Sequence, residues 1–235
     1  WSANPYKVIV NGNGADVAGA MADQSFVYDE GTKALSANNF TRTGYTFDGW
    51  ATTAAGSKVY NDKESVGNLM TVKEGQYNLY AVWKANNYIV RFNGNTNTGG
   101  SMSNQSFTYG VSGALNANAF VKTGYTFAGW STSAEGEVAY SNSQSVVNLS
   151  LNNGAVMDLY AKWTAGTGIQ YKVKHWQQNV EDNNYTEAVG SVQTLTGTAG
   201  SATAAAANTY TGFTAKAITQ GVIEGDGSTV VNVYY

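Results

Sequence analysis

The feature that most constrains this chain is that it repeats itself. Thr43-Gly44-Tyr45-Thr46-Phe47-Asp48-Gly49-Trp50 recurs 80 residues later as Thr123-Gly124-Tyr125-Thr126-Phe127-Ala128-Gly129-Trp130, and Leu79-Tyr80-Ala81-Val82-Trp83 recurs as Leu159-Tyr160-Ala161-Lys162-Trp163. Without gaps, Ser36 to Trp83 pairs with Asn116 to Trp163 at 22 identities in 48 positions. Upstream, Gln24-Ser25-Phe26 matches Gln105-Ser106-Phe107 at an offset of 81, and Asn11-Gly12-Asn13 matches Asn93-Gly94-Asn95 at 82. Single-residue insertions of this kind belong in loops. A period of this length means that one small unit is built again on the same skeleton.

A third, divergent copy follows from position. It opens on Tyr171-Lys172-Val173, carries Thr211-Gly212-Phe213-Thr214 and closes on Val231-Asn232-Val233-Tyr234-Tyr235. Length alone, 235 residues, suggests one or two domains. The repeat raises that to three: residues 6–84, 88–164 and 170–235, preceded by residues 1–5. Trp1-Ser2-Ala3-Asn4-Pro5-Tyr6 aligns with Trp83-Lys84-Ala85-Asn86-Asn87-Tyr88, which makes Trp1 the expected last core residue of a preceding repeat. The chain is thus expected to be a monomeric segment of a longer multi-repeat protein.

Within a repeat the periodicity is that of strands. Tyr6, Val8 and Val10 alternate with Lys7 and Ile9; Tyr88, Val90 and Phe92 alternate with Ile89 and Arg91; Leu79, Ala81 and Trp83 alternate with Tyr80 and Val82. Asn11-Gly12, Asn93-Gly94 and Asp226-Gly227 are the strongest turn signals. Short helical turns are expected over 32–39, 112–119 and 202–207.

Composition removes most chemistries. There is no cysteine and only one histidine, His175, which excludes thiol catalysis, disulfides and sulfur-based metal sites. Thirteen Lys and Arg against sixteen Asp and Glu, for a net charge of −3, leave no basic stripe for nucleic acid. No run of 18 apolar residues reads as a membrane span. With 43% apolar and 13% aromatic residues the chain has ample material for packed cores.

Gly44-Tyr45-Thr46-Phe47-x-Gly49-Trp50 followed by Leu79-Tyr80-Ala81-x-Trp83, present twice, resembles the Listeria–Bacteroides repeat, the family of the internalin B B-repeat. The first copy keeps the family's acidic residue at Asp48, the second has Ala128, and neither has the proline usual before the motif. Residues 171–179 with Thr209 to Phe213 look like a mucin-binding-protein-like module. The resemblance implies an α+β, β-rich fold: three tandem small β-grasp (ubiquitin-like) domains in an elongated arrangement. It also implies an extracellular, cell-surface or secreted protein with no enzymatic activity and no cofactor. The expected role is a stalk or spacer with adhesion as a further capacity; a host or cell-surface glycan or protein is the expected partner, the third domain being the alternative binding unit.

Among individual residues, the repeated aromatics are either three cores or a sugar-stacking platform. Domains of this size need every buried aromatic to fold, so the core reading comes first. Tyr45, Tyr125, Tyr80 and Tyr160, which alternate with apolar neighbours, are the repeat residues expected to be partly exposed, and with Trp176 they are the candidate ligand contacts. His175 lacks any spacing to a nucleophile or orienting acid and reads as a strand residue. Asp29-Glu30, Glu135/Glu137 and Glu181-Asp182 read as loop caps rather than a glycosidase pair. Glu224-Gly225-Asp226-Gly227-Ser228 has calcium-ligand types without the spacing of a dedicated loop. No Lys, Asn and acid stand out as an isopeptide set, and the loops 11–13 and 95–100 read as turns before they read as binding loops.

Overall fold

The computed structural model describes residues 3–16 and 21–235; Trp1, expected to end a preceding repeat, lies outside the described residues. In the first repeat, the alternation of Tyr6 and Val8 with polar neighbours produces strand β1 (Pro5–Asn11), with those two side chains buried. It is followed by β2 (Gln24–Val27), β3 (Lys33–Ala34), β4 (Tyr45–Ala51), β5 (Ser65–Val66) and β6 (Gly75–Ala85). The sheet order is β2-β1-β6-β4, with β1 and β6 parallel and the outer pairs antiparallel. Strands β3 and β5 form a separate two-stranded ribbon.

The second repeat reproduces this as β7 (Asn87–Asn93), β8 (Gln105–Thr108), β9 (Gly113–Ala114), β10 (Tyr125–Ser131), β11 (Ser145–Val146) and β12 (Val156–Ala165), with the order β10-β12-β7-β8. The third is reduced to β13 (Ile169–Gln178), β14 (Tyr185–Glu187), β15 (Gln193–Gly197) and β16 (Val230–Tyr234). Here β13 pairs antiparallel with β14 and β15 and parallel with β16. The chain forms two compact units, one of residues 1–91, 104–115 and 145–157, the other of 92–103, 116–144 and 158–235.

All sixteen elements are strands, and no helix occurs among the described residues. The architecture is all-β, which corrects the expected α+β β-grasp fold. The reason lies in where the backbone groups of the expected helical turns find partners. Between β3 and β4 the amides of Leu35, Ser36, Asn38 and Phe40 donate to Glu64 O, Gln24 Oε1, Asp62 Oδ1 and Asn38 Oδ1 at 2.8–3.0 Å. None is left to bond four residues back. In the second copy Gly113 and Ala114 join β9, and Asn118 and Phe120 repeat the side-chain bonds. Over 202–207, Ala202 bridges to Val222, the Ala204 amide donates to the Tyr171 hydroxyl, and Gln220 both accepts from the Ala205 amide and donates to its carbonyl.

The Phe-x-Gly-Trp motif is a β-bulge. The register of β4 against β6 slips between Phe47 and Gly49, and that of β10 against β12 between Phe127 and Gly129. Gly49 and Gly129 have φ of 140° and 148°, and a Cβ on either would fall within 2.5 Å of a neighbouring side chain. The bulge interrupts alternation, so that Gly49, Trp50 and Ala51 are buried in succession. Trp50 and Trp130, both fully buried, are thereby turned into their cores. The skipped residue, Asp48 or Ala128, is exposed, which is why the two copies can differ there. Around Trp50 pack Tyr6, Val8, Phe26, Leu35, Phe40, Val66, Leu79 and Ala81. The third core is Tyr171, Val173, Ala205, Ile223, Val231, Val233 and Tyr235.

Candidate functional site

All five candidate contact residues are half-buried, but they fall in three different places. Tyr45 follows the turn at Gly44 (φ 75°). Its ring meets that of Tyr109 edge-on at 5.7 Å and carries the Arg42 guanidinium at 4.0 Å. The Gly44 carbonyl accepts from the Asn86 amide at 2.9 Å, and the Asn86 carbonyl in turn accepts from the Tyr109 amide at 2.8 Å. The Asn86 side chain, in a residue 7% exposed, accepts from Thr46 Oγ1 at 2.6 Å and donates to Leu151 O at 2.7 Å. Tyr45 therefore belongs to a seam where the first repeat's Thr-Gly-Tyr turn meets residues of the second.

Tyr125 occupies the same place one repeat later. The Gly124 carbonyl accepts from the Gly166 amide at 2.7 Å, and the Gly166 carbonyl from the Ala199 amide at 3.0 Å. Lys122 lies over the Tyr125 ring at 4.4 Å, and Gly200 and Gly225 are glycines against which Tyr125 and Gly124 pack. A cleft of about 480 Å³ opens there, lined by Thr96, Lys122, Tyr125, Glu224 and Asp226 among others. Lys122 Nζ donates to Thr96 Oγ1 at 2.7 Å, so its cation is already held. Gly44 and Gly124 entered the sequence reading only as part of the repeated motif, and Asn86 and Tyr109 were not singled out as site residues; the signal was present in the match of Asn4 to Asn86 and of Tyr28 to Tyr109.

Tyr80 and Tyr160 stand at the other end of the same strand pairs. Tyr45 is opposite Ala85 while Tyr80 is opposite Ala51, five residues apart along β6 or about 17 Å. The structure does not bring Tyr45 and Tyr80 into one platform, nor Tyr125 and Tyr160, which lie opposite Ala165 and Ser131.

Trp176 lies on the outward face of the third sheet. Alternation sends Tyr171, Val173 and His175 of β13 inward together with Val231, Val233 and Tyr235, leaving Lys174, Trp176, Asn232 and Tyr234 on the other side. Trp176 Nε1 donates to Asn232 Oδ1 at 2.8 Å, and its ring stacks beside Tyr234 at 6.5 Å. Tyr185 meets Tyr234 edge-on at 5.0 Å. Lys174 bonds Glu187 at 3.0 Å and lies 6.0 Å from the Trp176 ring centre, and Lys216 contacts the Tyr185 hydroxyl. Tyr234 is 39% exposed. Flat aromatic surfaces framed by amide, ammonium and carboxylate groups can stack on an apolar face and hydrogen-bond hydroxyls at its rim. Of this group the sequence alone pointed to Trp176; the pairing of β13 with β14 and β16 brings the rest beside it.

The remaining candidates serve the fold. Asn13 and Asn95 take the left-handed conformation at φ 47°. Asn13 Nδ2 donates to Ala54 O and Ala81 O at 2.9 Å, and Asn95 Nδ2 to Ala134 O and Ala161 O at 3.0 Å. Trp83 and Trp163 donate to Gly12 O and Gly94 O at 2.9 Å, so these loops are clamped turns. Asp182 accepts from the Asn184 amide and from Asn179, and Asp226 from the Ser228 amide; these bonds hold both carboxyls below the usual carboxylate range. Asp16 is lowered likewise by Thr43. His175 is fully buried with Nδ1 2.8 Å from the Tyr235 hydroxyl, and burial lowers its pKa. Because that hydroxyl also accepts from the Asn208 amide at 2.6 Å, its proton is free to go to Nδ1. Among the described residues no group of three His, Cys, Asp or Glu converges on a metal-sized space.

Residues 6–82 and 88–162 each match the Listeria-Bacteroides repeat domain, a repeat typical of bacterial surface proteins. An Evansella cellulosilytica protein named "Putative Gly-rich membrane protein" is 34% identical over 115 residues, 47% of this chain and 13% of that one. A second from the same organism, named "Putative membrane protein", is 34% identical over 87 residues, 37% of this chain and 13% of the other. The matches thus span a small part of each relative's length. The solved structure of the Bacillus anthracis TIE protein aligns with 100% of this chain and 51% of its own at 11% identity, with a TM-score of 0.34, a likeness too low to carry an argument. No helix among the described residues is long and apolar enough to cross a membrane. With two tandem copies that together make up more than half of its length, the chain belongs to the Listeria-Bacteroides repeat family.

Proposed function

We propose that the chain is a non-enzymatic segment of a bacterial cell-surface or secreted protein, a spacer that presents other parts of its parent outside the cell. The observation that carries this reading is the seam built twice in the same way, Gly44 to Asn86 to Tyr109 and Gly124 to Gly166 to Ala199. The motif that defines the repeat is used to join each copy to its C-terminal neighbour. Tyr45 and Tyr125 accordingly serve cohesion within the chain. The reading is tested by replacing the segment, in its parent, with an unrelated folded spacer of similar length. Unchanged binding by the parent is expected; loss of binding would transfer recognition to this segment.

The second reading is a glycan- or host-protein-binding unit in the third repeat, favoured by the Trp176–Tyr234–Tyr185 face and by the resemblance of that region to mucin-binding-protein-like modules. A glycan array probed with the whole chain decides it. Signal that disappears in Trp176→Ala and Tyr234→Ala supports it, and signal retained in both removes the face from consideration.

A further inference from the structure

The seam has two halves, and the first repeat holds one of them without its counterpart. On the receiving side of the seam within residues 1–91 and 104–115, the essential groups are the amide and side chain of Asn86 and the amide and ring of Tyr109. Asn4 and Tyr28 are their equivalents by sequence, at offsets of 82 and 81. The internal bonds of the receiving half are already made. The Tyr28 amide donates to Asn4 O at 2.9 Å, as Tyr109 does to Asn86. Asn4 Nδ2 donates to Thr71 O at 3.0 Å, as Asn86 Nδ2 does to Leu151 O at 2.7 Å. The Asp29 amide donates to Asn68 Oδ1 at 2.7 Å, as Gly110 does to Asn148 Oδ1 at 2.6 Å.

What differs is the incoming half. Asn86 N and Oδ1 bind Gly44 O and Thr46 Oγ1, and the Tyr109 ring takes Tyr45; among the described residues, Asn4 N, Asn4 Oδ1 and the Tyr28 ring have no such partner. Asn4 is half-exposed where Asn86 is buried. Pro5, the next residue, biases Asn4 toward extended backbone.

We infer that Asn4 and Tyr28 form a socket for the Thr-Gly-Tyr turn of another repeat of this family, joined ahead of Asn4 in the same chain. The chemistry that fits is narrow: a carbonyl for the Asn4 amide, a hydroxyl two residues on for Asn4 Oδ1, a tyrosine ring for the edge of Tyr28, and a glycine, because a Cβ at Gly44 would stand 2.3 Å from ring atoms of Tyr109. Continuity with the existing seam argues for an occupant in cis, since Trp1-Ser2-Ala3-Asn4 repeats the Trp83-Lys84-Ala85-Asn86 through which the first repeat enters its own seam. The inference goes beyond the spacer reading and holds equally for an adhesin.

The test uses the full chain and a version in which residues 1–85 are duplicated directly ahead of Asn4. Amide hydrogen exchange is followed at the inner Asn4 by NMR. Exchange slower by ~10-fold or more than in the original chain is expected, and Gly44→Ala in the upstream copy alone should restore fast exchange. Equal exchange in the original and duplicated chains overturns the inference. Should that variant unfold the upstream copy, Tyr28→Ala in the inner copy replaces it: the loss in thermal midpoint must be larger in the duplicated chain, and an equal loss overturns the assignment. Protection of Asn4 in the original chain at millimolar concentration, with concentration-dependent sedimentation, would instead place a second copy in the socket. Its Thr211-Gly212 turn, exposed and with nothing within 4 Å of a Gly212 Cβ, is the counterpart such a copy would offer, and that result would overturn the arrangement in cis.

Discussion

Gly44 lies so close against Tyr109 that a Cβ on the glycine would stand 2.3–2.4 Å from three atoms of the ring. Gly212 has a similar positive φ, 84° against 75°, with open space around it. The pair separates two effects of adding a methyl group. Gly212→Ala is expected to cost the backbone term alone, about 1 kcal/mol. Gly44→Ala adds the displacement of Tyr109, and overpacking of this kind costs roughly a further 1–3 kcal/mol. Urea midpoints of the two variants give the difference directly, and equal midpoints would mean that the seam contributes nothing to stability.

Trp50 is the largest fully buried side chain of the first core and packs edge-on to Phe40 and Phe47 at 6.2 and 4.9 Å. Trp50→Ala is expected to cost on the order of 3–5 kcal/mol in denaturant unfolding. Its indole N–H has no partner among the described residues. Trp50→Phe therefore removes a buried donor along with volume, and should cost clearly less than the alanine variant.

His175 gives the fold a pH dependence with a fixed sign. Burial lowers its pKa below the ordinary 6.5, so below that pH the unfolded chain binds a proton that the folded chain does not. Stability should fall as pH drops through 6.5 toward the folded value, and be fully present above 6.5. Because this is the single histidine of the chain, replacing it with Gln should flatten the slope of the thermal midpoint between pH 5 and 7. A slope that survives would have to come from carboxylates.

Asn13 combines a left-handed backbone with two hydrogen bonds to carbonyls of distant strands. Asn13→Gly keeps the backbone conformation and loses the bonds, for about 1–2 kcal/mol. Asn13→Ala loses both and should cost roughly 1 kcal/mol more. The same order is expected at Asn95, measured as denaturation midpoints.

The sequence made legible what is local. The period of two in Tyr6–Val10 and Leu79–Trp83 located the two central strands of the first sheet, and Asn-Gly pairs located clamped turns. The core role of Trp50 and Trp130 followed from domain size. The expected helical turns over 32–39 and 112–119 failed because their amides are captured by Gln24, Asp62, Asn142 and strand backbones, partners that no window around those segments contains. Tyr45 is half-buried, and its partner Tyr109 is 64 residues away in another repeat. The aromatic face around Trp176 needed β16 to be set parallel to β13, a pairing that alternation alone does not reveal.

The parallel pairing of a repeat's first and last strands has a mechanical side. In the first repeat β1 and β6 are the first and last strands, and they lie side by side over six consecutive pairs, from Tyr6 opposite Gly75 to Asn11 opposite Tyr80. Tension entering at Pro5 and leaving at Ala85 draws the two strands past each other lengthwise, so the bonds between them are loaded together instead of one after another. A repeat pulled at its two ends would resist by shear, and its lifetime under load would be set by the unfolding rate more than by equilibrium stability.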